Sequence, residues 1–229
     1  MYTLGLDTSL AEASAVLMKG RSVLCERRKR RSGSFSQDIL GMVNGLFDDV
    51  SIDLADVDIF ASAVGPGSFT GLRIGLGTAM GLADSFGKPV VGVGTLDAMA
   101  RVCEDTRAAY LCPTIMAQRG QVYAALYSKM AGEPEKLTDD MEITADSLAK
   151  MIDGDVFFTG DGFAPYASLL RDKIGHRVES AESPERSCAE GVALLACEMA
   201  DRGELSAAPP APRYVSRPQA ELNLMKLQT

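Results

Sequence analysis

Short apolar runs separated by turn residues open the chain. Residues 2–6, 13–18 and 23–26 have the length and composition of strands, and Asp7-Thr8-Ser9 and Lys19-Gly20 lie between them. Apolar runs that alternate with Asp, Ser and Gly in this way are typical of consecutive strands joined by tight turns. The opening pattern therefore predicts a three-stranded antiparallel meander.

The period changes to that of helices after the meander. Apolar side chains recur every three or four positions over residues 36–49, at Ile39, Leu40, Val43, Leu46 and Phe47. The patterns that follow are a buried strand, a helix, a strand and a helix, over 57–64, 71–86, 90–93 and 96–103. This order is that of an actin-like (ASKHA, ribonuclease H-like) half-domain of the α/β class.

A second half-domain begins near Arg107. Two strands are predicted over 110–116 and 121–127, a helix over 144–152 and a further strand over 156–159. A helix over 190–202 precedes a proline-rich segment over 207–212, which is typical of a stiff linker. We therefore predict two half-domains with mixed sheets flanked by helices, over 1–105 and 106–206, and a linker with a tail over 207–229.

Composition and charge narrow the class of protein. The chain has 229 residues, 46% of them hydrophobic, which suffices to bury one or two cores. Its formal net charge of −8 argues against a nucleic-acid binder that relies on overall positive charge. Its 5 cysteines lack C-x-x-C spacing, which indicates reduced thiols. No signal peptide and no apolar run of about 18 residues is present, so we predict a cytoplasmic protein that contacts no membrane.

A glycine-rich turn follows the buried strand predicted over residues 57–64. Gly65-Pro66-Gly67-Ser68-Phe69-Thr70-Gly71 leaves a strand and enters a helix, where backbone N–H groups and the helix dipole favour anions. The run lacks the Gly-Lys-Ser/Thr ending of a P-loop and the glycine spacing of a dinucleotide fingerprint. The residues therefore leave two readings open, a phosphate site and a structural turn.

Two acidic turns lie in opposite half-domains. Asp7-Thr8-Ser9 and Gly160-Asp161-Gly162 both follow strands, and the predicted fold aims both at one cleft. Facing carboxylates there could hold Mg²⁺ with nucleotide phosphates, although Asx turns are also common structural devices. The cofactor-binding candidates are Asp7, Thr8, Ser9, Gly65, Gly67 and Ser68. The single histidine, His176, supports neither a histidine metal site nor a Ser-His-Asp triad, so no catalytic or metal-binding residue is predicted.

Four glycines lie inside the predicted helix over 71–86. Gly71 and Gly75 are four positions apart, as are Gly77 and Gly81. Each interior glycine lowers the stability of a helix by about 0.5–1 kcal/mol relative to alanine. A close backbone contact that only glycine permits has to offset this loss of stability. That contact lies with the helix over 36–49, with a second subunit, or with both.

A run of five cations, Arg27-Arg28-Lys29-Arg30-Arg31, interrupts the otherwise acidic chain. Most such runs are solvated. The alternative is a contact with an acidic partner or with an RNA backbone, since phosphate contacts need only local Lys and Arg.

Three motifs carry a resemblance to a known family. They are Leu4-Gly5-Leu6-Asp7-Thr8-Ser9, the run from Gly65 through Leu72-Arg73-Ile74-Gly75, and Val91-Gly92-Val93-Gly94-Thr95-Leu96. Weaker echoes are Arg119-Gly120-Gln121-Val122-Tyr123, Gly160-Asp161-Gly162 and Pro212-Arg213-Tyr214-Val215. Together they resemble the TsaB (YeaZ) family over nearly the whole chain.

The resemblance implies a function and partners. It implies a bacterial member of the actin-like ATPase superfamily that supports threonylcarbamoylation of adenosine-37 in tRNAs decoding ANN codons. The family does not perform the transfer, but pairs with its paralogue TsaD through helices of the N-terminal half-domain, works with the ATPase TsaE and also pairs with itself. It implies no tightly bound cofactor, with ATP or ADP only at a partner interface. The implied interface residues are Ile39, Val43, Phe47, Gly71, Gly75, Thr78, Gly81 and Leu82.

The sequence departs from the family at two places. Phe35-Ser36-Gln37 replaces a His-Ser/Thr-Gln/Glu motif, and Gln118 stands at or near the place of a cleft aspartate. The absence of this aspartate weakens the case for binding of an Mg²⁺-nucleotide complex between the two half-domains. An independent actin-like ATPase or small-molecule kinase that uses Asp7, the glycine turn and Asp161 is the alternative function.

Overall fold

A computed structural model describes residues 1–30, 35–103, 107–129, 133–181 and 186–215. Within them the chain forms two α/β half-domains, the first around a five-stranded sheet and the second around a seven-stranded sheet. None of the helices in these ranges combines the length and the hydropathy that crossing a membrane requires.

The first sheet begins with the predicted meander. Its strands are β1 (Tyr2–Asp7), β2 (Glu12–Lys19) and β3 (Ser22–Arg30), paired antiparallel. Strands β4 (Ile59–Gly65) and β5 (Val90–Gly94) extend the sheet parallel to β1, so the order is β3-β2-β1-β4-β5. Strand β3 extends beyond the predicted residues 23–26 through the basic run as far as Arg30, and Arg31 lies outside the described residues.

Helices cover both faces of this sheet. Helices α1 (Phe35–Asp48) and α2 (Phe69–Phe86) lie on one face, and α3 (Thr95–Arg101) lies on the other. Strand β2 shows the alternation that this requires, because Leu17 packs in the cluster with α1 whereas Val16 and Met18 pack in a separate cluster.

The strands of the second sheet are β6 (Tyr110–Met116), β7 (Gln121–Ala124), β8 (Tyr127–Ser128), β9 (Glu135–Lys136), β10 (Met141–Thr144), β11 (Val156–Thr159) and β12 (Val178–Ala181). Their order is β10-β7-β6-β11-β12, and β8 pairs with both β6 and β9. Helices α4 (Ala145–Ala149) and α5 (Ala167–Ile174) pack against it. The strand predicted over 121–127 is therefore two strands with different partners.

The last helix packs on the first half-domain, contrary to the predicted boundary at residue 106. Helix α6 (Cys188–Asp201) lies against β1, β2, β4 and α3. The backbone N–H of Ala189 donates to Ser14 Oγ (3.2 Å), and a Cβ on Gly5 would lie 2.4 Å from the Ala189 carbonyl oxygen. The local pattern indicates this helix correctly but carries no information about which sheet it covers.

The half-domains share one core. A single buried cluster contains Val93 of the first sheet, Ile115 of the second and Val192 of α6. Polar contacts join the halves as well, since Tyr127 Oη donates to Asp97 Oδ1 (2.7 Å) and Lys136 Nζ lies 2.8 Å from the same oxygen. The two halves are therefore packed against each other and not merely tethered.

The proline-rich segment folds back and does not act as a free linker. Arg213 N–H donates to the carbonyl oxygen of Val64 at the end of β4 (2.7 Å). A Cβ on Gly92 would lie 2.6 Å from Pro210. The predicted linker is thus part of the first half-domain over 210–214, and the tail after Val215 lies outside the described residues.

Candidate functional site

The turn after β1 holds three of the predicted cofactor-binding residues. Asp7, Thr8 and Ser9 are 0%, 1% and 2% exposed. Asp7 Oδ1 accepts hydrogen bonds from Ser9 N (2.9 Å) and Ser9 Oγ (2.6 Å). Thr8 Oγ1 donates to the carbonyl oxygen of Gly71 (2.6 Å). The polar groups of this turn therefore serve contacts within the chain.

The glycine turn between β4 and α2 lies directly against this first turn. Ser68 caps α2: its N–H donates to the Ser9 carbonyl oxygen (2.8 Å), and its Oγ accepts from Gly71 N (3.3 Å). Gly67 has a φ of 154°, and a Cβ there would lie 2.8 Å from Ser9. At Gly65 a Cβ would lie 2.3 Å from the Arg213 carbonyl oxygen. The structure thus brings all six candidates together, with the N–H groups of Ser68 and Gly71 already paired.

Burial dominates the electrostatics of Asp7. Desolvation raises the pKa of its carboxyl from 3.8 to about 6, although hydrogen bonds from Ser9 and Cys188 act in the opposite direction. Burial and the neighbouring Asp7 also raise the pKa of the Cys188 thiol. Among the residues that the structure describes, no nitrogen or oxygen donor reaches Asp7 Oδ2. An ionised Asp7 therefore destabilises the folded state at neutral pH.

The second predicted carboxylate has a structural contact. Asp161 is exposed, and its Oδ1 accepts from Met116 N (2.9 Å), which ties the end of β11 to the end of β6. Gln118 begins the hairpin turn between β6 and β7, where Gln121 N donates to its carbonyl oxygen (3.2 Å). Within the described ranges, no group of three or more His, Cys, Asp or Glu side chains could hold a metal ion.

Four of the eight predicted interface residues are buried inside the chain. Ile39 and Val43 lie in the core beneath α1. A Cβ on Gly71 would lie 1.9 Å from the Thr8 carbonyl oxygen, and a Cβ on Gly75 would lie 2.6 Å from Thr8 Oγ1. These four residues pack against their own chain, and their part in a partner interface stays a prediction.

The other half of the glycine pattern faces outward. Gly77 and Gly81 are exposed, and a Cβ at either would meet nothing within 4 Å outside its own helical turn. Together with the exposed Arg73, one helical turn earlier, they form a strip that we call the α2 stripe. The remaining predicted interface residues, Phe47, Thr78 and Leu82, are half-buried. Phe47 and Leu82 pack against the cluster beneath α1 and α2.

The basic run is largely engaged in ion pairs. Arg27 contacts Asp49 and donates to the Gly45 carbonyl oxygen (3.1 Å), and Lys29 Nζ lies 2.5 Å from Asp38 Oδ1. Arg28 pairs with Glu26 in its own strand (3.0 Å). The contact of this run with tRNA stays a prediction.

Sequence reasoning missed an aromatic cluster at the start of α2. The rings of Phe69 and Tyr214 stack with their centroids 5.0 Å apart. The Arg73 guanidinium lies 3.9 Å from the Phe69 ring centroid, and Arg73 Nε donates to Tyr214 Oη (3.2 Å). We call these three residues the Tyr214 cluster. Tyr214 is visible in a motif of the sequence, but its partner Arg73 lies 141 positions away, Phe69 lies still further along the chain, and no local pattern identifies either.

Sequence comparisons match known proteins over most of the chain. The TsaD family model, tRNA N6-adenosine threonylcarbamoyltransferase, matches residues 29–224. The tRNA threonylcarbamoyladenosine biosynthesis protein TsaB of Escherichia coli is 30% identical over 215 residues, which cover 89% of both chains. TsaB of Bacillus subtilis is 28% identical over 178 residues, covering 76% of this chain and 77% of that one.

Solved structures agree with these matches. YeaZ from Pseudomonas aeruginosa superposes with a TM-score of 0.78 and 28% identity, covering 93% of this chain and 99% of the other. Ethanolamine utilization protein EutJ of Carboxydothermus hydrogenoformans, with a TM-score of 0.55, 13% identity and coverage of 85% and 89%, shares the fold alone. The predicted actin-like α/β fold is thereby confirmed. By the family model and the E. coli relative together, the chain belongs to the TsaB (YeaZ) family of tRNA threonylcarbamoyladenosine biosynthesis proteins.

Proposed function

We propose that this chain is a non-catalytic, cytoplasmic subunit that binds a TsaD protein and, with TsaE, supports threonylcarbamoylation of adenosine in tRNA. Family membership supplies the process, because TsaB relatives are named for threonylcarbamoyladenosine biosynthesis. The α2 stripe supplies the observation that carries the binding role.

Two glycines of α2 lack an explanation inside the chain. Gly71 and Gly75 are required by the contact with Thr8, whereas Gly77 and Gly81 have open space outside their helix. Glycine costs about 0.5–1 kcal/mol at each such position relative to alanine. A second backbone that approaches the stripe closely would offset this cost, since a side chain there would hold the partner away.

The support beneath the stripe is rigid. Ala79 and Ala83 of α2 are buried in the cluster that also holds α1 and the meander. The match to the TsaD family model implies that a TsaD partner carries helices equivalent to α1 and α2. Related helices can then pair about an approximate two-fold axis, and two copies of this chain can pair in the same way.

Gly81→Leu is expected to weaken binding of the same organism's TsaD at least tenfold, because the isobutyl group fills the stripe. The measurement is isothermal titration with purified TsaD, followed by a modified-nucleoside assay with TsaE and tRNA. Ser168→Leu in α5 is the matched control, since it adds the same side chain to an exposed helical position in the other half-domain. Wild-type affinity of the Gly81→Leu chain would exclude the stripe as the docking site. Gly75→Leu is unsuitable because Gly75 is a packing position.

The isolated chain is expected to show no heat of Mg²⁺-ATP binding in isothermal titration. The candidate residues do not fit a nucleotide site, because Asp7 is sealed from solvent and the N–H groups of Ser68 and Gly71 are paired within the chain. ATP or ADP would then bind only where a partner completes a site. Saturable binding by the chain alone, with phosphate release, would favour the independent ATPase or kinase instead.

A further inference from the structure

We propose that the Tyr214 cluster and Arg213 form a cationic end of the docking surface that binds an acidic group of the TsaD partner. This inference rests on the proposed function and adds a third element, the C-terminal segment over 210–214, to helices α1 and α2.

The segment is built into the first half-domain. The Arg213 N–H donates to the carbonyl oxygen of Val64 near the end of β4, and Pro210 packs against Gly92. Tyr214 is fixed from two sides, by the Phe69 ring and by the Arg73 guanidinium. The Tyr214 ring and the backbone of Arg213 are therefore held in place before any partner arrives, which lowers the entropy lost on binding.

The fixed cluster remains accessible. Phe69 is 42% exposed and Tyr214 is 39% exposed, although their rings stack on each other. Arg73 belongs both to the cluster and to the α2 stripe, so the two surfaces are continuous along the helix. On the other flank of α2, Ile74 and Leu82 pack toward α1. The stripe is thus bordered by α1 on one side and by the Tyr214 cluster at its beginning.

The charges at this end are all positive. In the first turns of α2 and between residues 206 and 215 the charged residues are Arg73 and Arg213, whereas the exposed Asp84 lies at the opposite end of α2. On the α1 side Asp38 and Asp49 are paired with Lys29 and Arg27, and Asp48 adds an exposed negative charge. In a chain with a net charge of −8, this cationic end selects an acidic group on the partner. Tyr and Arg are also the residues that most often dominate the binding energy of protein interfaces.

The test compares charge and ring variants of the full chain. Tyr214→Ala and Arg213→Glu are each expected to weaken TsaD binding at least tenfold in isothermal titration, with the Arg213 effect smaller at high salt. Tyr214→Phe, which keeps the stacked ring, and Arg202→Glu, which reverses an exposed charge at the end of α6, are expected to stay within about threefold of wild type. Thermal unfolding of all four variants shows whether the folded state is intact.

The outcomes separate this inference from the function beneath it. If Gly81→Leu abolishes binding while Tyr214→Ala and Arg213→Glu bind as wild type, the docking role stands and the cationic end is wrong. If Gly81→Leu also binds as wild type, the docking role itself is wrong. If Arg213→Glu abolishes tRNA binding by the chain and leaves TsaD binding unchanged, the cluster contacts RNA phosphate and the proposal is overturned.

Discussion

Gly71→Ala is expected to lower the free energy of unfolding by at least about 3 kcal/mol, whereas Gly77→Ala in the same helix is expected to raise it by about 0.5–1 kcal/mol. At residue 71 the new Cβ would lie 1.9 Å from the Thr8 carbonyl oxygen, which is backbone and cannot rotate away. At residue 77 the new Cβ meets open space, so only the gain in helix propensity remains.

Chemical denaturation of both variants beside the wild type measures the effect. The two substitutions make the same chemical change in one helix, so the contrast isolates the contact with the Asp7 turn. Equal stabilities for the two variants would show that α2 does not approach β1 as closely as the structure has it.

Asp7→Asn is expected to stabilise the protein by up to about 3 kcal/mol at pH 8 and by much less at pH 4. The folded-state pKa of Asp7 is raised from 3.8 to about 6, so the folded state binds the proton more tightly than the unfolded state. The contribution of this group to wild-type stability is therefore fully present below pH 4 and lost as pH rises through 6. Asparagine keeps an oxygen for the two bonds from Ser9 and carries no charge to desolvate.

The readout is the change with pH in the difference between the two unfolding free energies. Any constant cost of packing the amide cancels in that change, which makes the measurement independent of how well asparagine fits. A difference that stays the same from pH 4 to pH 8 would mean that Asp7 is better solvated than its burial indicates. The experiment also tests the nucleotide site, because a carboxylate open to Mg²⁺ would not carry this penalty.

Local patterns predicted the first half-domain well. The meander, the helices beginning near Phe35 and Phe69 and the strand ending at Gly65 all lie within a few residues of their predicted bounds. Period, turn residues and capping are local properties, so a single sequence carries them. The adjacency of the Asp7 turn and the glycine turn follows from the parallel pairing of β1 with β4.

The packing of residues that are far apart in the chain could not be predicted from the sequence. Gly71 and Gly77 look alike in a helix pattern, and only the position of Thr8 shows that one is a packing residue and the other a surface residue. Ile39 and Val43 likewise fit an apolar stripe that could face a core or a partner, and the structure assigns both to the core. The return of α6 to the first sheet depends on contacts such as Ala189 with Ser14, which are 175 positions apart.

That return has a consequence for synthesis on the ribosome. The meander leaves the exit tunnel first, yet the helix that covers Val16 and Met18 is translated 175 positions after the strand residue it contacts. The part of this sheet face that α6 covers therefore stays exposed until residues 188–201 have emerged. Such a surface is prone to aggregation and is the kind that chaperones shield. A message that ends before α6 would yield a product that chaperones and proteases recognise as unfinished.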